Sequence, residues 1–373
     1  MKKKILITML EIGNGHKAPA NAIKKSIEKL YSEKYDVEVI DLFKEMNSNT
    51  LFWMYKTFWV DFALRFPSVF NFIYRFSNNN FTRLSEKILL LNVRRKTKSY
   101  IQDMKPDLIL NTHYSCSHVF SMLKLKDKIP VIALNTDPFD AHYIWAVRNM
   151  YSHIVFSKMA KEMLINKGIE GDIIINYENK YPLDSKHSLK VDSKEIIRRR
   201  LKLENKKTIL MSAGGEGVGN LKEYLVEIIN SNLDYQIIFI CGRNEKLNAE
   251  LESLKINNKV RLRVFGFVDN MQEFIQASDI ILGKPGASQT FEVLAKNKPI
   301  VYSTYMRNEY PTLQFVVDNK IGWYVKTKEE FVELLKKIEK NPKLLRDAEI
   351  KIKKLNIKNC SDEIAEYVNG ILS

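Results

Sequence analysis

Cysteine is scarce in this sequence: Cys116, Cys241 and Cys360 are its three, far apart and odd in number. That excludes a disulfide framework and any short zinc-binding spacing, and makes the cytosol the default compartment. Long apolar runs are missing too. No stretch approaches the roughly 18 uncharged apolar residues that a membrane-spanning helix requires. The opening, Met1 to Leu10, imitates a secretory leader, with three lysines ahead of Ile5–Leu10. Its apolar stretch stops at Glu11 without a small-residue cleavage site, so a first strand is expected. Acidic residues are the third shortage: 44 Asp and Glu face 59 Lys and Arg, a formal net charge of +15. An excess of that size suits nucleic acid, an anionic membrane surface or a phosphorylated substrate, or else lysines scattered over solvated faces.

What is present suffices for two cores. The chain has 373 residues, 45% hydrophobic and 28% charged, a globular composition too long for one ordinary domain. Ile5–Leu10, Val37–Ile40, Leu108–Asn111 and Val131–Asn135 read as strands, with weaker candidates at Ile154–Phe156 and Ile173–Ile175. Ala18–Leu30 has helical spacing. After a polar, proline-marked stretch, Asn179–Asp192, the pattern restarts with strands at Thr208–Ser212, Gln236–Cys241, Val260–Val264 and Asp279–Leu282 and a helix at Asn220–Ile229. Strands alternating with helices imply parallel sheets. The expectation is an α/β chain of two doubly wound lobes, 1–183 and 184–373. The charged helical segment from about Pro342 ends on an apolar face of Ile364, Tyr367, Val368 and Ile371, and its final helix is expected back on the first lobe.

One insertion breaks the alternation. Residues 51–76 hold 11 aromatics, 42% of their positions against 11% for the whole chain, and Arg94-Arg95-Lys96-Thr97-Lys98 follows. Residues 1–150 carry 23 Lys and Arg against 14 Asp and Glu, more than half of the excess charge. Rings interspersed with Lys56, Arg65 and Arg75 suit a segment lying at a lipid interface. A helical hairpin packed on the sheet fits equally, and the two readings are compatible.

Several loops carry chemistry. Gly13-Asn14-Gly15-His16 joins the first strand to the first helix, where backbone amides suit an anion and a histidine suits a general base. In isolation it is also an ordinary tight turn. It lacks the third glycine of a dinucleotide fingerprint. Thr136-Asp137 follows the fourth strand, with His142 and Trp145 close behind; alone, such an Asp is more often a helix cap. Gly214-Gly215-Glu216-Gly217-Val218-Gly219 has four glycines in six residues and can wrap a pyrophosphate, but without the lysine and serine of an ATP-hydrolysing loop. Gly286, Ser288, Gln289 and Thr290 open a helix after another strand, with Glu292 one turn in. Two phosphate-type loops in one lobe are less easily accidental than either alone.

Together these motifs resemble the monogalactosyldiacylglycerol synthase and processive diacylglycerol glucosyltransferase family. The resemblance rests on Arg198-Arg199-Arg200, Ala213–Gly219, Gly242-Arg243-Asn244, Gly266–Met271 and Gly283–Gly286 in the second lobe. In the first lobe it rests on Gly13–His16 and on Thr136-Asp137 with His142 and Trp145. It covers roughly residues 5–325. It implies the GT-B fold, two Rossmann-like lobes with a cleft between them, and inverting transfer of a hexose, glucose before galactose, from a UDP-sugar to diacylglycerol or a glycosyldiacylglycerol. His16 would deprotonate the acceptor and Asp137 would support it. Gly15, Gly214, Gly215, Glu216, Phe267, Val268, Gly286, Ser288, Gln289, Thr290 and Glu292 would hold the donor. Trp53, Phe58, Trp59, Phe62, Arg94, Arg95, His142 and Trp145 would serve the lipid acceptor and an anionic membrane surface. No tightly bound cofactor and no obligatory metal are implied, and the place of work would be the cytoplasmic face of the cell membrane, as a peripheral protein. Asn14, Ala287 and Tyr305–Glu309 depart from the family pattern. The same fold acting on a polyprenyl-linked acceptor is the alternative. A nucleic-acid binder fits poorly, because the aromatics sit in one block and no basic helix appears. A non-catalytic binder fits poorly while His16, Asp137 and Glu292 persist.

Overall fold

Most strands of this chain are unbroken apolar runs, the pattern of strands buried on both faces of a parallel sheet. The computed structural model describes residues 2–125, 128–187, 192–212, 221–254, 256 and 259–373, leaving aside the side chains of Trp59, Val60, Leu64, Pro67 and His187. Its first sheet comprises β1 (Lys3–Met9), β2 (Tyr35–Asp41), β3 (Leu108–Asn111), β4 (Val131–Leu134), β5 (Ser152–Val155) and β6 (Ile174–Asn176). All pairings are parallel, in the order β2-β1-β3-β4-β5-β6. After the short β7 (Lys180–Tyr181) a second parallel sheet follows: β8 (Thr208–Ser212), β9 (Gln236–Ile240), β10 (Arg261–Phe265), β11 (Ile280–Gly283), β12 (Ile300–Tyr302) and β13 (Gly322–Tyr324). Its order is β10-β9-β8-β11-β12-β13. β3, β4 and β5, like β8, β9, β11 and β12, are buried along their whole length, whereas β10, at an edge, is not.

In each sheet the strand order reverses once, between β1 and β3 and between β8 and β11. Ligands of open parallel sheets bind outside the carboxyl ends of the strands at such reversals. The loop after β1 leads to His16, and the loop after β11 leads to Gly286.

The chain forms two compact units. One is Met1–Ser185 with Met306–Pro311 and Lys358–Ser373; the other is Lys186–Tyr305 with Thr312–Ile357. Within the first unit the helix Ser361–Leu372 packs on the helix Asn14–Tyr31. Lys29 pairs with Asp362 at 2.9 Å, and the Tyr35 hydroxyl donates to Asn369 Oδ1 at 2.9 Å. Ile364 and Val368 are fully buried there, and β14 (Lys358–Asn359) pairs with β7. The helix Lys328–Lys340 and the strands β7, β13 and β14 were not anticipated from the sequence; strands of two or three residues carry no periodicity.

Between β2 and β3 the first unit inserts a run of helices, among them Asn49–Lys56, the π-helical turn Thr57–Phe62, Pro67–Phe76, Asn80–Leu89 and Leu91–Met104. Among the described residues no helix is long and apolar enough to cross a membrane.

Candidate active site

The first helix starts where only glycine is comfortable. Gly13 caps it with φ +74° and ψ −174°, a conformation essentially closed to other residues. Asn14, Gly15 and His16 then form the first turn, whose amides have no partners within the helix. Gly15 is exposed, with open space around it. His16 Nδ1 lies 2.7 Å from the carbonyl oxygen of Thr112, just past β3, and 2.9 Å from the Thr136 hydroxyl, just past β4. A carbonyl only accepts, so Nδ1 carries the proton and Nε2 keeps its lone pair. The imidazolium is disfavoured by burial, which takes the pKa down to about 4 despite the Thr112 carbonyl. The side chain is a neutral base at ordinary pH, held in one tautomer.

A ring layer supports it. His113 lies edge-on to His16 with centroids 4.4 Å apart, and the Trp145 ring is 6.3 Å away. The Trp145 indole donates to Asp137 Oδ2 at 2.8 Å. The Asn308 amide donates to Asp137 Oδ1 at 3.5 Å. Burial, with the neighbouring Asp140 carboxylate, raises the Asp137 pKa to about 7 against these two hydrogen bonds. Asp140 in turn accepts from the Tyr74 hydroxyl at 2.8 Å.

Two residues expected at the lipid acceptor lie inside the fold. Trp145 is buried, and its polar atom is committed to Asp137. His142 is buried as well: Nε2 donates to the Tyr74 carbonyl at 3.1 Å and Nδ1 accepts from the Ile144 amide. Burial lowers its pKa to about 4, so it is a neutral tie between the insertion and the loop after β4.

In the second unit the residues expected to hold the donor fall into three groups. Gly214, Gly215 and Glu216 lie outside the described residues. Gly286 caps the helix Ala287–Ala295, where the buried Ser288 hydroxyl has no hydrogen-bond partner among the described residues. Gln289 folds back over β11: a Cβ on Gly283 would sit 2.8 Å from its side-chain amide, so any larger residue there would displace the end of Gln289. The fully buried Thr290 hydroxyl donates to the Gly286 carbonyl and meets the Tyr302 hydroxyl at 2.8 Å. It braces the loop from within. Glu292 is half-buried one turn into the helix. Phe267 is 60% exposed beneath the Arg243 guanidinium, 4.9 Å from its ring centre, and Val268 is half-buried beside it in sequence.

The insertion sorts its rings. Tyr55, Phe70 and Tyr74 are buried, and Phe58 and Phe62 pack around Phe70 with Met306. Trp53 is 65%, Phe72 64%, Phe76 74% and Phe81 72% exposed, joined by Phe66, Leu84, Ile88 and Leu91. Arg94 and Arg95 are exposed on the next helix. The Trp59 side chain lies outside the described residues.

A family profile described as monogalactosyldiacylglycerol (MGDG) synthase matches residues 16–177, and one described as the glycosyltransferase family 28 C-terminal domain matches residues 205–364. The processive diacylglycerol beta-glucosyltransferase of Bacillus cereus (strain B4264) is 30% identical over 312 residues, covering 80% of this chain and 75% of the relative. The chain belongs to this diacylglycerol glycosyltransferase family. It is a glycosyltransferase of the GT-B fold. Acinetobacter baumannii MurG has a TM-score of 0.66 with it at 15% identity, over 99% of each chain. S. aureus MnaA, solved with UDP, has 0.59 at 16%, over 100% of this chain and 97% of its own. Anabaena HepE, in complex with UDP-glucose, has 0.58 at 12%, over 98% and 99%.

Sequence reasoning about this glycosyltransferase missed Thr112, His113, Tyr74 and Asn308. Thr112 and His113 directly follow β3, at the reversal of strand order, and that position was their one legible signal. Asn308 and Tyr74 reach Asp137 and Asp140 from remote segments, and nothing local marks them. The exposed Phe81, Leu84 and Ile88 lie just past the aromatic block and repeat at helical spacing.

Proposed function

We propose that this glycosyltransferase moves glucose, with inversion, from UDP-glucose to the free hydroxyl of diacylglycerol or of a glycosyldiacylglycerol, docked on the cytoplasmic face of the cell membrane. The observation that carries the reading is His16, neutral and fixed in the tautomer that leaves Nε2 unprotonated. Nε2 takes the proton of the acceptor hydroxyl as its oxygen bonds to the anomeric carbon from the face opposite the leaving group. The bond from that carbon to UDP breaks, and UDP leaves with the electron pair. Asp137, held by Trp145 and Asn308, accepts from the acceptor or steadies the imidazolium that forms. The start of the helix Ala287–Ala295, with the unpartnered Ser288 hydroxyl, suits the diphosphate. Glucose is favoured because the relatives are named as glucosyltransferases. The exposed rings of the insertion and the cations at Arg94 and Arg95 support docking on an anionic surface.

The test is a donor panel. Protein is incubated with labelled UDP-glucose, UDP-galactose or UDP-GlcNAc over anionic vesicles containing diacylglycerol or a polyprenyl phosphate. Glycolipid is expected from UDP-glucose and diacylglycerol. Turnover confined to the polyprenyl acceptor would replace the acceptor class, and turnover with galactose alone would replace the sugar.

A further inference from the structure

The turn that follows β3 supports the base in three ways. Thr112 offers its carbonyl to His16 Nδ1, His113 sets its ring against the imidazole at 4.4 Å, and Ser115 orients that ring. The Ser115 amide donates to His113 Nδ1 at 3.1 Å. His113 thereby caps the helix Tyr114–Leu123, and the proton of its neutral ring is left on Nε2. Towards β1 the turn is anchored twice, by the Thr112 amide on the Thr8 carbonyl and by the Thr112 hydroxyl on the His16 carbonyl, both at 2.9 Å.

A further anchor comes from far away in sequence. The Ser115 hydroxyl donates to Glu86 Oε1 at 2.6 Å, and the Tyr55 hydroxyl donates to the same oxygen, also at 2.6 Å. Glu86 lies on the inserted helix Asn80–Leu89 and Tyr55 on the inserted helix Asn49–Lys56. Glu86, Tyr55, Ser115 and His113 are all buried. A buried hydroxyl is costly to leave without its acceptor, so one oxygen of Glu86 fixes where Tyr55 and the helix start after His113 come to rest. Burial raises the Glu86 pKa, and the uncharged carboxyl that this favours still accepts both bonds through Oε1. The transfer chemistry above makes no direct use of this acid. We propose that Glu86 is a positioning residue for the base: through Ser115 and His113 it holds the His16 ring in the orientation and tautomer that transfer needs. The insertion then belongs to the scaffold of the base as well as to the exposed apolar surface. The role rests on His16 as the base of the transfer proposed above.

Histidine NMR and kinetics test it together. In protein carrying isotope-labelled histidine, with the His16 signals assigned by their loss in His16→Ala, the unaltered chain should show Nδ1 protonated and Nε2 bare. Glu86→Leu leaves the Ser115 and Tyr55 hydroxyls without their acceptor and should mix the two tautomers of His16. Glu86→Gln, whose amide oxygen still accepts, should keep the single form. In turnover with UDP-glucose, Glu86→Leu should lower kcat by about 10²-fold with KM little changed, the cost of a small misplacement of a reacting group. Glu86→Gln should retain most of the rate. Ser115→Ala should lower kcat as well, and joining it to Glu86→Leu should add nothing, because both cut the same line. Additive losses, a loss in Glu86→Gln equal to that in Glu86→Leu, or an unaltered His16 spectrum in Glu86→Leu overturns the assignment. Should Glu86→Leu fail to fold, Ser115→Ala, which keeps the backbone amide and removes one hydroxyl, carries the same spectral test. If the unaltered protein transfers no glucose, the transfer reading fails, and the His16 spectra still decide whether Glu86 sets the ring.

Discussion

His16 is held neutral by burial and not by a charged neighbour, with the Thr112 carbonyl pulling the other way. It sits in the first turn of a helix, the positive end of the helix dipole, and it is largely sheltered from water. Both factors favour the neutral imidazole, and the Thr112 carbonyl selects the tautomer. Asp137 is displaced in the opposite sense and is half-ionised near pH 7. If the ionised carboxylate supports transfer, kcat/KM should rise with pH through about 7, with a second limb from His16 near 4. Asp137→Asn should remove the upper limb and leave the lower one. His16→Ala should lower kcat by about 10²–10⁴, the usual worth of a general base, while UDP binding measured by calorimetry is retained. A single limb near 6.5 that ignores Asp137→Asn would disprove this assignment. The sequence disclosed His16 through its place after the first strand. It did not disclose the tautomer, because the deciding carbonyl lies 96 residues away on a neighbouring strand end.

At the level of elements, the parallel sheets were legible because strands buried on both faces are apolar along their middles, as Leu108–Asn111 and Thr208–Ser212 are, with polar residues only at their ends. The inserted helices were legible only as a composition. Which rings face inward depends on helix phase, and the π-helical turn Thr57–Phe62 shifts that phase midway. Ahead of that turn, on Asn49–Lys56, Tyr55 already points to Glu86 while Trp53, two positions earlier and so on another face, is left exposed. The exposed set should be the lipid-facing one. Replacing Phe72, Phe76 and Phe81 together with serine should reduce sedimentation with anionic vesicles by at least 10-fold, at roughly 1.5–3 kcal/mol per ring that loses its apolar environment. Their exposure predicts little change in melting temperature. Binding should also weaken with salt, because exposed charges are screened within about 8 Å at physiological ionic strength. Unchanged sedimentation would return these rings to a role within the protein.

Across the whole molecule, histidine burial sets the response to acid. His113, His118, His142 and His153 are buried with pKa values driven down by desolvation, to about 3 for His118 and about 4 for His142 and His153. Unfolded, each takes a proton near pH 6.5; folded, His118, His142 and His153 resist until near 4 or below, and His113 is displaced in the same direction. Between those values the unfolded chain binds more protons, so stability falls as pH falls, by roughly 1.4 kcal/mol per pH unit for each histidine. Asp137, Asp140 and Glu86 pull the other way, being protonated more readily when folded. With His16, held near 4 as well, five against three leaves a net loss of at least the order of two histidines per unit. Urea unfolding at pH 7, 6 and 5 should show it, and constant or rising stability on acidification would refute the assignment. The segment Lys358–Ser373 carries a different consequence, one of timing. Helix Asn14–Tyr31 is complete early in synthesis, but the apolar side chains of Ser361–Leu372 that cover it emerge only after the entire second unit has been made. During translation the part that carries His16 must wait, unfinished and in need of shelter, until the whole second unit has been made.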